Sequence, residues 1–493
     1  MMDAIGRRER GIQALLALAL LASYAYFLPR RVDWNQNGRI DLIFAIVDQG
    51  RLEIDDYRGN TGDYAHFGDH YYSDKAPGTS FLGIPFYWAF RTLTRLPVIG
   101  PALQTVAAGA APGPASPQEE DGLFPWRGYF ALALWVTTLG AVALPSAGLG
   151  VLFYRLARRL GADAGAAVLL TLVYGLGTTA FPYGGALYGH MPAAFCLFAA
   201  FYLLWNIGSL PKQHTPLPLI GAGFLLGWAV ITEYPMALPA GVIGLYGLYR
   251  LADKRRLVWL AAGGLVPLLI LAVYDLAIYG TPLPVGYQYS ELWMTEHSMG
   301  FMSLTGPTLE RLWGVTFSPY RGLFALSPAL LFAFPGLIAM YRQAQWRPEW
   351  LTLIGVVGTV FIFNASSAMW WGGFAVGARY ASPAVPFLAL PIAAWLGDGR
   401  WRRWAFGAVG LLSVGSVWAQ TIASLKFYPP EQYQFPLIEF ALPALSRGEI
   451  ALNLGSAIGL RGWSSLLPLG LILGALIGCL AVLCRPALEG KSR

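Results

Sequence analysis

Residues 257–279 read LVWLAAGGLVPLLILAVYDLAIY, a run in which Asp275 is the only charged side chain. A helix of about 20 predominantly apolar residues is long enough to cross the roughly 30 Å hydrocarbon core of a bilayer. Comparable apolar stretches recur from the first residues of the chain to the last, separated by short polar hinges. This pattern predicts an all-α protein that crosses the membrane many times.

The composition supports this class. Of the 493 residues, 56% are hydrophobic and only 12% are charged, whereas a soluble protein carries about 25% charged residues. The net charge of +7 does not indicate a nucleic-acid partner, because the Lys and Arg residues form no basic face or tail. They lie in short hinges between apolar segments, as expected for a protein whose partner is the lipid bilayer.

Twelve segments can form transmembrane helices. The first runs from 11 to 28, and Pro29-Arg30-Arg31 follows it in place of a small-residue cleavage site, so we expect it to be retained with its N-terminus in the cytoplasm. The others are 127–154, 164–182, 191–208, 217–232, 235–250, 257–279, 323–341, 350–366, 380–397, 404–424 and 466–484.

The apolar segment 76–93 is assigned by the positions of the positive charges. If it lies along the outer surface without crossing, all the basic hinges fall inside, in agreement with the Lys/Arg bias of cytoplasmic loops. These hinges are 155–159, 250–256, 342–347, 400–403 and the tail 485–493. We therefore predict that 76–93 is a re-entrant or juxtamembrane helix.

This topology places four polar segments on the outer side: 29–75, 97–126, 280–322 and 425–465. Segment 97–126, rich in Ala, Gly and Pro, is typical of a flexible insertion. We divide the chain into a transmembrane module, 1–424 with the outer loop 29–126, and a C-terminal part, 425–493. The latter holds an outer loop, the last transmembrane helix and a cytoplasmic tail.

The outer first loop contains a helical pattern between Asn37, a possible cap, and Gly50. Apolar residues recur at helical spacing from Ile40 to Val47. Asp41 and Asp48, seven residues apart, lie on the face next to this apolar stripe. The pattern therefore predicts an amphipathic helix at the membrane surface.

Polar residues collect at the predicted outer ends of several segments. Lys75 stands where the polar loop meets the next apolar helix, a position suited to a phosphate at headgroup level. Arg321 and Arg379 each begin a span on the side that the charge rule disfavours, so we expect a specific anionic partner. Further candidates at these ends are Arg39, Asp74, His190, Glu233, Tyr234, Tyr320 and Tyr380.

Five motifs in the same order resemble the membrane glycosyltransferases of the C-type (GT-C) fold that use polyprenyl-phosphate sugars. That group includes aminoarabinose transferases and protein O-mannosyltransferases. The motifs are Gly38-Arg39 in the first outer loop, Asp74-Lys75-Ala76-Pro77, His190-Met191-Pro192, Thr232-Glu233-Tyr234-Pro235, and Arg379-Tyr380 followed by Pro383-Ala384-Val385-Pro386. Together they span about residues 11–400.

The resemblance implies an inverting transfer by an outward-facing active site, with a carboxylate as general base. The family's acidic pair before Gly-Arg falls here on Gln36-Asn37, so we assign the base to Asp41, with Asp33 as the alternative. Lys75 and either Arg321 or Arg379 would bind the donor phosphate. His190 replaces an Asp and Glu233 a Lys, and a divalent metal stays possible.

The sequence therefore predicts a bacterial inner- or plasma-membrane glycosyltransferase with a polyprenyl-phosphate-linked sugar as donor and a lipid, glycan or protein as acceptor. One alternative is a transporter or flippase of lipid-linked or small solutes. Transporters place ionisable groups near the midplane within paired repeats, and here almost all charges lie at span ends. A lipid-linked glycan polymerase or ligase is a second alternative with the same outer loops.

Overall fold

The computed structural model describes residues 2–28, 33–97, 100–101, 126–207, 216–283, 285–292, 294–300, 303–397, 399–423 and 433–485. Within them the chain is almost entirely helical, as predicted. Most of the predicted flexible insertion 97–126 lies outside the described residues, and so does the proposed boundary at 424 and 425.

The helices of the first 160 residues are α1 (Met2–Tyr26), α2 (Trp34–Phe44), α3 (Gly78–Thr94), α4 (Trp126–Thr138) and α5 (Leu144–Arg159). Those that follow are α6 (Ala164–Leu176), α7 (Ala180–Gly184), α8 (His190–Ile207), α9 (Leu217–Thr232), α10 (Ala237–Arg250), α11 (Leu257–Tyr279), α12 (Met294–Ser298), α13 (Leu309–Thr316), α14 (Leu323–Leu326), α15 (Ala333–Tyr341), α16 (Arg347–Ser366), α17 (Val385–Ala389), α18 (Ile392–Leu396), α19 (Arg400–Ile422), α20 (Leu442–Ser446), α21 (Leu454–Ala457) and α22 (Leu467–Cys484).

Shorter helical turns join several of these helices. The wider π-type turns are Ala45–Gln49, Leu139–Ala143 and Leu437–Ala441. The tighter 3-10 turns are Asp55–Asn60, Tyr234–Met236, Lys254–Arg256, Gly286–Tyr289, Pro328–Phe332, Ala344–Trp346, Arg379–Ala384 and Gly462–Leu466. The first loop also holds a two-stranded antiparallel hairpin, β1 (Tyr64–Phe67) and β2 (His70–Ser73), which the sequence reading did not predict.

Six helices of the described residues are long and apolar enough to span a membrane: Gly128–Arg159, His190–Ile207, Lys254–Tyr279, Ala344–Ser366, Arg400–Ile422 and Gly462–Cys484. Their outward faces carry exposed large side chains such as Leu471, Leu411 and Val273, as expected for surfaces that contact lipid. A multi-pass membrane fold is thus confirmed, whereas the predicted count of 12 spans is not.

The differences from the predicted spans have local causes. The predicted span 323–341 breaks at Ser327-Pro328, and 380–397 is a series of short helices interrupted by Pro383, Pro386 and Pro391. A Pro has no N–H to donate and its ring clashes with the preceding helical turn, which interrupts the helix.

One end of the molecule gathers the predicted basic hinges. Arg158 Nη2 lies 3.1 Å from Glu9, Arg159 Nη1 donates to Asn206 at 2.6 Å, and Arg250 Nη1 lies 3.7 Å from Glu349. Arg403 pairs with Asp163 at the same end, and Arg8 donates to the Arg485 carbonyl. The basic hinges at 155–159, 250 and 403 and the start of the tail therefore share one polar layer.

The opposite end gathers the first loop and the segments predicted to lie beside it. An isolated β-bridge joins Ala65 to Ser290, and another joins Phe27 to Asn453. Helix α1 also packs along α22, so the C-terminal part lies against the start of the chain. The candidate site lies at this second end.

Candidate active site

Helix α2 positions the first candidate residue, and its start differs from the prediction. The cap is Asp33 and not Asn37: an Asp33 carboxylate oxygen, Oδ1, accepts from the Asn35 N–H at 3.1 Å, which satisfies one of the otherwise unpaired N–H groups of the first turn. The other oxygen, Oδ2, accepts from the hydroxyl of Tyr188. Asp33 therefore joins the first loop to the segment before α8, and it is partly exposed.

Helix α2 was expected to be amphipathic, but all its residues from Gln36 to Phe44 are buried. The hairpin and the turn Asp55–Asn60 fold over the face that the sequence assigned to water. Asp41 lies on this covered face. It is fully buried, and one oxygen accepts from Asn60 Nδ2 at 3.0 Å.

The environment of Asp41 differs from the one assumed in choosing it as the base. Arg39 is only two residues away in sequence, but no cation pairs with Asp41 among the described residues. Burial raises its pKa well above the usual range, and the bond from Asn60 only partly opposes this. A carboxyl group in these surroundings favours its neutral form.

Arg39 points away from Asp41, into the space between α3 and α9. Its guanidinium donates to the Ala76 carbonyl at 3.1 Å and to Glu233 Oε1 at 3.2 Å. The same Glu233 oxygen lies 3.4 Å from His190 Nδ1. Three of the predicted residues, far apart in sequence, thus form one buried group.

Lys75 lies between two carboxylates. Its Nζ is 3.0 Å from both Asp63 Oδ2 and Asp74 Oδ1, and Asp74 Oδ2 also accepts from the Ser290 hydroxyl at 3.0 Å. Burial on its own lowers the pKa of Lys75, but the charges of Asp63 and Asp74 raise it above the usual value. Lys75 therefore stays protonated at neutral pH.

The guanidinium group of Arg379 donates only one of the hydrogen bonds recorded at the site, fewer than that of Arg39. Its Nη2 donates to the Tyr380 hydroxyl at 3.2 Å, while Nε is buried without a partner among the described residues. The group stacks over the rings of Tyr188 and Tyr380, 5.2 and 5.0 Å from their centroids. Arg379 and Tyr380 are both partly exposed, as is Asp33.

Arg321 lies behind the loop that carries Arg379. It is buried, its guanidinium donates to the carbonyl groups of Ala375 and Gly373, and it stacks on Tyr320 at 4.6 Å. The loop turns sharply at Gly372, whose φ is +73° and whose absent Cβ would lie 3.1 Å from the Arg379 side chain. Arg321 is thus placed to hold this loop.

The site brings together most of the predicted residues and adds others. Tyr234 packs edge-on against Tyr287 at 5.7 Å, and His190 stacks on Tyr188 and meets the edge of Tyr380. The predicted residues that it unites are Asp33, Arg39, Asp74, Lys75, His190, Glu233, Tyr234, Arg379 and Tyr380. Asp41, Tyr320 and Arg321 lie around it.

The sequence reading missed Asp63, Tyr188 and Ser290 as members of the site. Asp63 reaches Lys75 because Tyr64 pairs with Ser73 in the hairpin, which places the flanking Asp63 and Asp74 opposite each other. The signal was present: a two-residue Gly-Asp turn at 68–69 between two short aromatic-rich runs is typical of a β-hairpin. No local pattern indicated Tyr188 or Ser290.

A metal site does not emerge from these side chains. Within the described ranges no group of three or more His, Cys, Asp and Glu residues is arranged to hold a metal ion. The acidic residues Asp63, Asp74 and Glu233 are instead engaged by Lys75 and Arg39.

Comparison with known structures identifies the fold. The chain is similar to ArnT from Cupriavidus metallidurans in the apo state, with a TM-score of 0.54 and 16% sequence identity over 96% of this chain and 75% of that chain. A structure of ArnT from the same organism bound to undecaprenyl phosphate aligns over the same shares with a TM-score of 0.48. No protein-family model and no curated protein sequence matches. The predicted GT-C-like fold is confirmed.

Proposed function

We propose that this membrane protein transfers a sugar from a polyprenyl-phosphate donor to an acceptor hydroxyl group. The observation that carries the proposal is that Asp33 and Arg379, both partly exposed, contact the same side chain, Tyr188. Tyr188 links them: its hydroxyl donates to Asp33, and Arg379 stacks over its ring. A carboxylate base beside a phosphate-binding cation is what such a transfer requires.

The base of this proposal is Asp33 in preference to Asp41. A base must reach the acceptor hydroxyl, and Asp33 is partly exposed while Asp41 is fully buried. Burial raises the pKa of Asp33, whereas the Tyr188 bond and the charge of Arg379 lower it. A base whose pKa approaches the working pH is well matched to accepting a proton in the transition state.

In the proposed reaction the acceptor oxygen attacks the anomeric carbon as Asp33 Oδ2 takes its proton. The bond between that carbon and the phosphate oxygen breaks in the same displacement, so the configuration inverts. Negative charge grows on the leaving phosphate, where Arg379 is placed to donate from its guanidinium. Protonated Lys75 adds positive charge nearby, although Asp63 and Asp74 offset it.

An apolar groove beside the site supports the proposal that the donor carries a polyprenyl chain. The groove has a volume of about 150 Å³ and lies between α3, α5, α8 and α9. It is lined by Leu82, Pro145, Pro192, Phe195, Cys196, Phe224, Leu225 and Trp228. Pro192 is two residues from His190, so a hydrocarbon chain in this groove would bring its phosphate end toward the site.

We further propose that the site faces the outer side of a bacterial inner or plasma membrane. The basic hinges gather at the opposite end of the molecule, and Lys and Arg residues are concentrated in cytoplasmic loops. With the basic end in the cytoplasm, the candidate site meets its acceptor on the outer side.

The test is product analysis with the purified full-length protein in lipid. It would be supplied with polyprenyl phosphates carrying glucose, mannose, galactose or arabinose, together with cell-envelope lipid and glycan extracts as acceptors. We expect release of polyprenyl phosphate from at least one donor and a matching glycosylated product of inverted configuration. Donor turnover that is absent with all four, in protein shown to be folded, would contradict the proposed function.

A further inference from the structure

Asp275 is a buried carboxyl group within a spanning helix that the proposed reaction does not use. It lies near the end of α11, on the face that also carries Leu271, Tyr274 and Ile278 and points inward, while Val273 and Leu276 on the other face are exposed. An ionisable residue that lies within a spanning helix and faces the protein interior marks a substrate pathway in many membrane proteins. Asp275 itself is 1% exposed.

Tyrosines connect Asp275 to the site. Tyr274 packs against Phe81 of α3 with ring centroids 5.6 Å apart, and Tyr234 packs against Tyr287 at 5.7 Å. Tyr279, four residues after Asp275 on the same helix, packs against Phe67 and Tyr72 of the hairpin with ring centroids 5.3 and 6.1 Å apart. These ring contacts join α11 to α3 and to the hairpin that directly precedes Asp74 and Lys75.

Two hydrogen-bonding groups of this region are buried without a partner among the described residues: Asp275 Oδ2 and the Tyr274 hydroxyl. No described cation lies within ion-pair distance of Asp275 either. Nearly all buried polar atoms of native proteins are hydrogen-bonded to protein or to ordered water, and an unpaired one calls for an explanation such as a functional role. Two neighbouring unpaired groups beside the candidate site therefore indicate that a bound molecule completes them.

The chemistry of the two groups defines that molecule. A carboxyl oxygen accepts hydrogen bonds, and a phenolic hydroxyl both donates and accepts them, so their complement carries several hydroxyl groups. Aromatic rings add apolar contact area with a polar edge. Tyr287, which is partly exposed and packs edge-on against Tyr234, adds to this aromatic surface.

We propose that Asp275 and Tyr274 bind hydroxyl groups of the donor's sugar ring and thereby determine which sugar is transferred. This inference rests on the proposed function and extends it to the recognition of the sugar. A site that hydrogen-bonds a substrate hydroxyl discriminates strongly against an analogue that lacks it, because its own buried polar groups are then left unpaired.

The experiment first identifies the polyprenyl-phosphate sugar that the wild type uses best. This donor is then compared with each of its deoxy analogues, which lack one hydroxyl group. For at least one analogue we expect the wild type to prefer the full sugar in kcat/KM. In Asp275→Leu and Tyr274→Phe that preference should fall by about 10- to 100-fold. Tyr274→Phe, which removes one hydroxyl group and keeps the ring, serves if the leucine variant does not fold.

Glu349→Gln is the matched control. Glu349 is equally buried, lies in a spanning helix and has an oxygen, Oε2, without a partner among the described residues, but it belongs to the basic end of the molecule. Its variant should keep the wild-type preference. Thermal unfolding of each variant reports whether it is folded.

The outcomes separate this inference from the proposed function. Suppose that the wild type transfers the sugar and that the folded Asp275 and Tyr274 variants keep its preference between donors. This result would overturn the inference and leave the proposed function standing. An equal loss for all donors would also overturn it, because it would show a structural role. Absence of transfer by the wild type would overturn the proposed function and the inference with it.

Discussion

At the residue scale, the two candidate bases differ in what each carboxyl group contacts. Asp33 is partly exposed and adjoins Arg379 and Tyr188, whereas Asp41 is sealed beneath the first loop with Asn60 as its partner. Both belong to the same short segment of sequence. Their different surroundings therefore follow from where each carboxyl group points: that of Asp33 from the N-cap of α2, and that of Asp41 from within the helix.

We predict that Asp33→Asn abolishes most activity and that Asp41→Asn does not. Asn caps a helix about as well as Asp, so Asp33→Asn keeps α2 while removing the basic oxygen, with an expected loss of about 10²- to 10⁴-fold in turnover. Asp41→Asn replaces a carboxyl group that favours its neutral form by a neutral amide of the same shape. Steady-state turnover with saturating donor measures both, and a dead Asp41→Asn beside an active Asp33→Asn would return the base to Asp41.

A second prediction concerns how the enzymatic activity depends on pH. The Tyr188 hydroxyl bond lowers the pKa of Asp33, against the larger effect of burial, which raises it. Tyr188→Phe removes this bond, so the pKa of Asp33 should rise further. Since the base acts in its ionised form and activity is lost as the pH falls through its pKa, the acidic limb of the pH profile should move to higher pH. A limb that stays in place or moves to lower pH would show that Asp33 is not the titrating base.

At the scale of single elements, the hairpin of the first loop is what brings Asp63 to Lys75. Its turn depends on Gly68, which has a φ of +62° and open space around its Cβ position. Any effect of a substitution there comes from backbone conformation and not from a clash. A left-handed conformation costs a residue with a side chain about 1–2 kcal/mol, and Asn tolerates it better than most.

We therefore predict that Gly68→Val loosens the hairpin and Gly68→Asn does not. Hydrogen exchange of peptides covering 61–75 should show reduced protection in the Val variant, and the KM for the donor should rise because Lys75 loses its fixed position. Gly68→Asn is the matched control and should resemble the wild type. Equal protection in both variants would mean that the hairpin does not depend on this turn.

The helix after the hairpin also takes its role from its neighbours. Helix α3 packs across α4, and Tyr87 of α3 lies 3.1 Å from Tyr129 of α4, hydroxyl to hydroxyl. The continuous helix Gly128–Arg159 has 32 residues, so it is about 48 Å long and exceeds a hydrocarbon core of about 30 Å. Its excess length offers α3 a packing surface beyond the bilayer, in keeping with the prediction that 76–93 does not cross.

At the scale of the whole molecule, the polar residues form two layers separated by the apolar helices. The basic hinges occupy one end, and the candidate site occupies the other. This arrangement predicts that the tip of the hairpin and the turn after α10 face opposite sides of the membrane.

Cysteine labelling of intact cells measures this prediction. In a variant lacking Cys196, Cys479 and Cys484, a membrane-impermeant thiol reagent should label Asp69→Cys and should label Lys254→Cys only after the membrane is opened. Both positions are exposed in the fold, so accessibility within the protein is equal. The reverse pattern would place the candidate site in the cytoplasm.

The sequence by itself determined the class, the succession of helices and most of the residues that the fold brings together at the candidate site. Apolar runs of span length and the distribution of Lys and Arg are local properties, because a bilayer selects helices by length and composition. The motifs around Lys75, His190, Glu233 and Arg379 were also readable, since each lies at the end of an apolar run.

Only the tertiary structure decided which carboxyl group faces the site and what each charge contacts. Asp33 and Asp41 stand on one short segment, and the covering of α2 by the hairpin buries one and leaves the other partly open. The pairs of Arg39 with Glu233 and Asp33 with Tyr188 join segments distant in sequence. Such contacts depend on how helices and loops pack against each other, which no local pattern of residues encodes.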